Sequence, residues 1–428
     1  MHATLLLLAL LAADGGTNST PPASPLARFR AAQRTFARTF AAGDWDGARA
    51  AAEEQRHAAH GRPDADYNLA CVEARAGRPD AAFAALGRAV ESGMAQDFRP
   101  DPDVASLKGD PRWSALEARQ EAQRRPVMEG KPELALPAEL EIAEDLALDP
   151  RTGAVFVSSP RTGEVRRWNG KSWQSWAHPG AEGTSALALG LDPKRRVLQV
   201  TTAPLPQARG AVGGTGPPSE LVTLALDDAR VLGRVAPPGL ELRHVLGDLT
   251  LGPDGTVYVA DSVAGTVYRL PPGGSALQPL FPAGTLGSPQ TPVLSAAGDR
   301  LYVPDYTLGL FVVPARGGMP VPVSAPPDLM TAGTDGMVAV AGGMVAVQNG
   351  IVMPRIVRLW LSPDGTRIER WKVLARGPDI GDPTHATTRR SEVVALVDSG
   401  WGRFTDDGKI RPDVAAASPR LIRFALGK

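Results

Sequence analysis

Cysteine is almost missing from this 428-residue chain, and neither sign of charge is in excess. Cys71 is the single cysteine, which excludes an intramolecular disulfide and a cysteine-based zinc site. The 46 basic and 46 acidic residues give a formal net charge of zero, and no long basic run disturbs this balance. We therefore expect no nucleic-acid partner and no electrostatic attraction to an anionic membrane.

Three common catalytic motifs are absent as well. The sequence contains no GxSxG, no HExxH and no GxxxxGK[ST]. Serine hydrolases of the nucleophile-elbow type, zinc proteases and P-loop nucleotide hydrolases therefore have no local motif to support them.

Long apolar runs are limited to the N-terminus, MHATLLLLALLAADGG, where one extends from Ala3 to Ala13. This run is far shorter than the roughly 20 residues that a membrane-spanning helix needs. Together with the polar, proline-rich segment that follows, it predicts a signal peptide and linker over residues 1–25. The prediction is an exported protein, periplasmic or secreted, without an integral membrane segment after cleavage; a cytoplasmic protein is the alternative.

Residues 26–125 have a helical composition, rich in alanine, arginine and glutamate. The segment YNLACVEARAGRPDAAFAALGRAV resembles a tetratricopeptide repeat, and Gly43 to Gly77 and Ala48 to Ala82 are both separations of 34, the period of that repeat. Two repeats and a further helix around Trp113 are predicted. The resemblance implies a surface for a protein partner; the alternative is a short helical cap that packs on the next domain.

From residue 131 onward, short β-rich runs alternate with glycine, proline and aspartate. Six of these runs end in a small or polar residue: Ser159, Thr202, Asp261, Asp305, Asn349 and Asp398. Their spacing is close to 44 residues in four of five intervals, and each run is followed by a second one. This pattern predicts a six-bladed β-propeller over residues 131–428, with the segment 132–138 supplying the outer strand of the last blade.

Polar residues at strand starts predict a site in the propeller channel. One mouth of the channel is expected to collect Glu144, Asp145, Asp248, Gln290, Asp335 and His385. Carboxylates gathered in this way need protons, water or a hard cation such as calcium to neutralise them. Ser159, Asp261, Asp305, Asn349 and Asp398, at the ends of the runs, are interpreted mainly as turn residues whose side chains bond nearby backbone.

Four segments resemble the senescence marker protein and gluconolactonase family of six-bladed propellers: AEDLALDP, LGDLTLGPDGTVYVADS, SPQTPVLSAAGDRLYVPDY and TDGMVAVAGGMVAVQNG. The resemblance implies a divalent ion in the channel, usually calcium, with Glu144 and Asp335 at two ligand positions. The two asparagines of the family are not kept, since Gly247 followed by Asp248 stands at one position and Gln290 at the other. Asp248 is the candidate catalytic residue for substrate contact or water activation.

Two functions follow from these observations. The first is an exported binding or scaffold protein, in which the helices hold a protein partner and the propeller mouth holds a small polar ligand or an ion. The alternative is a calcium-dependent, lactonase-like hydrolase of the gluconolactonase type.

Overall fold

The computed structural model describes residues 24–59, 62–94, 97–211, 217–239 and 243–426. All but the last two residues of the predicted leader, 1–25, lie outside these ranges, so the leader stays a prediction. Within these ranges, none of the helices has the length and apolar character needed to cross a bilayer.

The N-terminal domain is helical, as predicted. Its α-helices within the described ranges are α1 (Pro25–Ala41), α2 (Trp45–Ala58), α3 (Pro63–Arg75), α4 (Pro79–Glu91) and α5 (Pro111–Arg124). Proline stands in the first turn of all these helices except α2. Proline is tolerated there because N–H groups of the first turn make no hydrogen bond within the helix.

The 34-residue spacing corresponds to two helical hairpins. Gly43 and Gly77 both adopt φ of +70° in the turns of α1–α2 and α3–α4, a backbone conformation that glycine allows without strain. Ala48 and Ala82 are fully buried where the paired helices approach each other. Helix α5 follows as the further helix around Trp113. The hairpins confirm the helical domain, and the closer likeness to a tetratricopeptide repeat stays a prediction.

The rest of the chain is almost entirely β-structure. The strands in chain order are β1 (Val127–Met128), β2 (Lys131–Ala135), β3 (Leu146–Leu148), β4 (Val155–Ser158), β5 (Val165–Trp168), β6 (Trp173–Ala177), β7 (Ser185–Asp192), β8 (Val197–Ala203), β9 (Glu220–Ala225), β10 (Val231–Val235), β11 (Leu246–Leu251), β12 (Val257–Asp261), β13 (Thr266–Leu270), β14 (Gln278–Pro279), β15 (Val293–Leu294), β16 (Arg300–Asp305), β17 (Gly309–Pro314), β18 (Val321–Pro322), β19 (Thr334–Val340), β20 (Gly343–Gln348), β21 (Arg355–Leu361), β22 (Ile368–Arg376), β23 (Ala386–Arg389), β24 (Glu392–Val397) and β25 (Arg420–Ala425). They form six antiparallel sheets in the described part of the chain.

The six sheets are the blades of a propeller. Blades one to five begin with β3, β7, β11, β15 and β19, and blade six begins with β23. These first strands contact one another in a closed ring, including β23 with β3. The predicted six-bladed β-propeller is therefore confirmed.

The repeated apolar runs of the sequence are the second strands of the blades. Strands β4, β12 and β24 are almost completely buried, because neighbouring strands and neighbouring blades cover them on both sides. The first strands, which contact one another in the ring, line the channel inside them. Each second strand runs antiparallel to the first, so its end lies beside the start of the first strand.

The two ends of the propeller sequence meet in blade six. Strand β2 pairs with β25, with Lys131 opposite Arg423 and Ala135 opposite Arg420. The predicted closing segment, 132–138, is thus confirmed in its first half. Strand β1 pairs with β22 as a fifth strand of blade five, an addition that the sequence pattern did not predict.

The helical domain packs on the propeller face where the first strands start. One apolar cluster combines residues of α1 and α2 with the loops and turns of blades three and four: Leu26, Phe29, Ala58, Ala59, Leu280, Phe281, Leu286 and Leu308. Arg62 donates to the carbonyl of Thr307 over 2.7 Å, and the N–H of Met330 donates to the carbonyl of Ser92 over 3.0 Å. Apolar burial and direct hydrogen bonds therefore hold the two domains together.

Candidate functional site

The propeller topology brings residues from separate blades to one mouth of the channel. Glu144 precedes β3, Asp335 is the second residue of β19, and His385 precedes β23. Gly336 lets two of these segments lie close together, since a Cβ there would be 2.4 Å from the carbonyl oxygen of Thr384. A larger residue at Gly336 would separate blade five from the segment that carries His385.

A cavity of 370 Å³ opens at this mouth. The residues that line this mouth cavity are Glu144, Tyr306, Asp335, Asn349, Asp382, Trp401 and Gly402. Its volume lies at the lower end of the range for small-molecule sites, about 300 to 1,000 Å³. The site is therefore of a size to hold a small ligand.

N–H groups of neighbouring side chains hold two of the three carboxyl groups of the cavity wall, while the third, Asp382, accepts the backbone N–H groups of Gly400 and Gly402. Trp401 Nε1 donates to Glu144 Oε2 over 2.5 Å, and Asn349 Nδ2 donates to Asp335 Oδ2 over 2.5 Å. The hydroxyl of Tyr306 donates in turn to Asn349 Oδ1 over 3.0 Å. The wall is thus a preorganised arrangement of acids and hydrogen-bond donors.

A second layer of titratable groups includes a buried histidine and a buried aspartate. His385 Nε2 lies 2.5 Å from Asp248 Oδ1, and Thr291 Oγ1 donates to the same oxygen over 3.2 Å. One ligand atom each of Asp248, Asp335 and His385 lies within 4.8 Å of the other two. We call these three residues the channel cluster.

The environment shifts the pKa values of these groups strongly. Burial, with Asp335 and Asp248 nearby, raises the pKa of Glu144 to about 8. Burial and the charge of Asp248 raise the pKa of Asp335 to about 7. Burial by itself would lower the pKa of His385, but the surrounding carboxylates, Asp145 and Asp248 first, outweigh it and hold this pKa well above its ordinary value.

The tyrosine of the cavity keeps its proton. Burial raises the pKa of Tyr306, and the nearby charges of Asp335 and Glu144 act in the same direction. Tyr306 therefore remains a hydroxyl donor at neutral pH.

Four of the six predicted site residues belong to the site in the structure, and the other two bond elsewhere. Glu144 and Asp335 line the cavity, while Asp248 and His385 form the layer behind it. Asp145 is instead held by backbone, because the N–H groups of Leu146 and Leu189 each donate to it over 2.7 Å. Gln290 bonds locally, donating to Ser288 Oγ over 2.9 Å. Asp145 and Gln290 are not among the residues that line the mouth cavity.

Five cavity residues were not predicted as part of the site: Tyr306, Asn349, Asp382, Trp401 and Gly402. Asn349 was interpreted as a turn residue, but it contacts Asp335 because the end of β20 lies beside the start of β19. The antiparallel pairing could have revealed this position. Trp401 lies in a loop that interrupts blade six, and no periodic pattern marks it.

The donor set fits a divalent cation in charge but departs from what calcium prefers. Calcium takes six to eight oxygen ligands. Here an imidazole nitrogen stands beside Asp248, and the amide of Gln290, which the sequence predicted at the channel mouth, turns to Ser288. These residues supply carboxylates that could bind a cation. They do not supply the shell made only of oxygen ligands that calcium prefers.

No protein-family model and no curated protein sequence matches the chain. Among solved structures, it is similar to the PQQ-bound aldose sugar dehydrogenase of Streptomyces coelicolor at 14% identity, over 70% of this chain and 99% of that one, with a TM-score of 0.48. The calcium-binding protein regucalcin of Agrobacterium tumefaciens is 17% identical over 70% and 93% of the two chains, with a TM-score of 0.45. Virginiamycin B lyase of Staphylococcus aureus is 10% identical over 70% and 100%, with a TM-score of 0.46. The strand pairing of the chain itself shows a six-bladed β-propeller that carries an N-terminal helical domain.

Proposed function

We propose that the mouth cavity is the active site of a hydrolase for small polar esters, lactones included. The observation that carries this proposal is the convergence of Glu144 and Asp335 on one 370 Å³ cavity, with Asp248 and His385 directly behind them. Two acids with separate partners on one small cavity provide the groups that hydrolysis requires, a proton acceptor and a stabiliser of charge.

Glu144 is the proposed general base and general acid. Its carboxylate takes a proton from a water molecule as the water oxygen bonds to the ester carbonyl carbon. The carbon–oxygen bond to the alcohol then breaks, and the proton passes from Glu144 to the departing oxygen. A pKa near the operating pH suits this double role, and that of Glu144 is raised to about 8.

The other cavity residues orient the substrate and the acid. Trp401 fixes one oxygen of Glu144, while Tyr306 and Asn349 form a hydrogen-bonded row beside Asp335. A divalent cation beside Asp335 would polarise the substrate carbonyl.

The experiment is a hydrolysis assay on small lactones and carboxylic esters with the purified, metal-supplemented protein. We expect turnover of at least one compound, and Glu144→Gln is expected to lower kcat/KM by about 100-fold or more. Glu139→Gln is the matched control, because the side chain of Glu139 is 71% exposed. Absence of turnover throughout the panel, or equal activity of Glu144→Gln and the parent, would contradict the proposal.

A binding protein without turnover is the second candidate. This function is favoured because side-chain N–H groups already fix Glu144 and Asp335 in the cavity wall. Polar groups fixed in this way are typical of sites that bind a small polar ligand. Saturable binding of a lactone to the parent, without its hydrolysis, would select this function. A protein partner on residues 26–125 and export from the cytoplasm remain proposals beside either function.

A further inference from the structure

We propose that the cleft between blades two and three is a second binding site, which takes a small aromatic carboxylate. A cavity of 450 Å³ opens in this cleft, larger than the mouth cavity and within the usual range for small-molecule sites. Its wall includes Arg195 and Gly255, which lie in the turns that join the first strand to the second in these two blades. Those turns are at the end of the ring opposite the mouth, so this cleft cavity is separate from the proposed active site.

The first argument is that the cleft lacks an aromatic ring. Three places before the residue that ends each repeated run, blades one, three and four have Phe156, Tyr258 and Tyr302. Each of these rings is buried among apolar residues of the next blade. Blades five and six have a buried alanine there, whereas blade two has Gln199, which lines the cleft cavity. The ring of a ligand can therefore occupy space that a side chain fills in other clefts.

The second argument is that the outer strand leaves the cleft cavity open. Strand pairing places Gln199 opposite Thr223 and Thr223 opposite Gly233, on three adjacent strands of blade two. Residues that are opposite each other in this way share one face of the sheet. Gly233 adds no side chain to that face, and a Cβ there would meet no other atom within 4 Å. A ligand can therefore enter past Gly233.

The third argument is a buried hydrogen-bond donor without an acceptor. Gln199 is only 8% exposed, and Thr223 Oγ1 donates to its Oε1 over 2.9 Å. Among the described residues, none accepts a hydrogen bond from Gln199 Nε2. A buried N–H group without a partner costs free energy. An oxygen atom of a ligand in the cleft cavity would offset this cost.

The fourth argument is charge. The cleft cavity is lined by two arginines, Arg195 and Arg234, and by no acidic residue of the described chain. Arg195 Nη1 donates to Asp192 Oδ2 over 2.7 Å, and Arg234 Nη1 donates to Glu220 Oε2 over 2.9 Å. These two acids orient the guanidinium groups without lining the cavity. Guanidinium groups held in this way suit a ligand carboxylate.

The apolar part of the wall fixes the other half of the ligand. Val257 and Leu270 of blade three line the cleft cavity and are buried. They offer a ring apolar contact, while Gln199 and the two arginines offer donors to oxygen atoms. Phenylacetate combines one ring with one carboxylate and is the probe that we choose for this class.

The experiment is titration calorimetry of the full-length protein with phenylacetate. We expect one molecule per chain, with a dissociation constant on the order of 0.1 to 1 mM. Gln199→Tyr places in blade two the residue type that fills the cleft next to blades three and four. This variant should remain folded and should weaken phenylacetate binding by about 30-fold or more.

A second pair of variants tests the carboxylate. Arg234→Gln should weaken phenylacetate by about 10-fold and change the affinity for the neutral analogue phenylacetamide less than about twofold. Arg230→Gln is the matched control, because Arg230 precedes the same strand, its side chain is 68% exposed and it does not line the cleft cavity. Its affinity for phenylacetate should equal that of the parent.

Gly233→Val is the variant to use if Gln199→Tyr does not fold. Its side chain would narrow the opening without meeting a neighbour at Cβ, and it should weaken phenylacetate by about 10-fold. Absence of saturable binding up to about 10 mM, or equal affinity of the parent and the variant that fills or narrows the cleft, would overturn the site. Equal affinity of the parent for phenylacetamide and phenylacetate would overturn the carboxylate class. These measurements need no ester hydrolysis, so failure of the proposed hydrolase would leave their outcome unchanged.

Discussion

Asp305 and Asp335 are aspartates of neighbouring blades at the same end of the ring, but the protein holds them in different ways. Asp305 is fully buried and accepts four backbone N–H groups, those of Gly287, Ser288, Thr307 and Leu308. Asp335 borders the mouth cavity, and the amide side chain of Asn349 donates to it. An aspartate whose oxygens accept several backbone N–H groups is fixed as part of a turn. An aspartate that accepts from one side chain and borders a cavity can still bind a ligand.

The same distinction classifies the other aspartates of the ring. Asp145 accepts the backbone N–H groups of Leu146 and Leu189. Asp261 is intermediate, because one oxygen accepts the backbone N–H groups of Val245 and Ala264 while the other lies 2.6 Å from His244 Nδ1. Asp145 therefore resembles the turn aspartates in its bonding, although the sequence placed it with the channel ligands.

The largest expected effect is on stability at the backbone-held position. Asp305→Ala leaves four buried N–H groups without their acceptor, and we expect the free energy of unfolding to fall by about 4 kcal/mol. Urea unfolding followed by circular dichroism measures this. Asp299→Ala, in the same blade but with a side chain 56% exposed, should leave the free energy of unfolding nearly unchanged. Equal losses in the two variants would remove the distinction between the two kinds of aspartate.

The second effect is a pH dependence of the free energy of unfolding that arises from Glu144, a carboxyl group of the mouth cavity. The folded pKa of Glu144 is about 8 against an ordinary 4.5, so between these values the folded state binds a proton that the unfolded state has released. Metal-free parent should therefore lose stability as the pH rises from about 5 to 8, and Glu144→Gln should lose less by about 2 kcal/mol.

Urea unfolding of both proteins in chelator at several pH values tests this prediction. The exposed-site variant Glu139→Gln should follow the parent. Parallel curves for the parent and Glu144→Gln would show that Glu144 is charged in the folded protein throughout this range.

The smallest effect separates two amides near the mouth. Gln290→Ala removes a local bond to Ser288, and kcat/KM for the best ester of the panel should change less than about twofold. Asn349→Ala removes the donor to Asp335 and should lower kcat/KM by about 10-fold. The hydrolysis assay on the two variants in parallel gives the result, and a stronger effect of Gln290→Ala would restore the ligand position that the sequence predicted for it.

The architecture could be predicted from the sequence because the patterns that indicate it are local and recur along the chain. The buried second strands keep nearly continuous apolar runs, and the 34-residue spacing of Gly43 and Gly77 repeats one helical turn type. The closing segment was predictable too, since it is an extended run that precedes the first blade and pairs with β25, the last strand of the described residues.

The site was only partly predictable, because its geometry depends on which strand ends meet. Glu144, Asp335 and His385 were found from strand starts, whereas Asn349 needed the antiparallel register and Trp401 lies in an irregular loop. One of the two backbone donors that hold Asp145, the N–H of Leu189, lies in a different blade. No pattern of residue types along the chain encodes such a contact.

The pairing of Lys131 with Arg423 also sets an order of events during synthesis. Strand β2 leaves the ribosome about 290 residues before its partner, which at about 5 to 20 residues per second is a wait on the order of 15 to 60 s. During that time β2 is an unpaired strand in a crowded cell. Its sequence, KPELA, has a proline and two charged residues, which are the features that keep a lone edge from pairing with another chain.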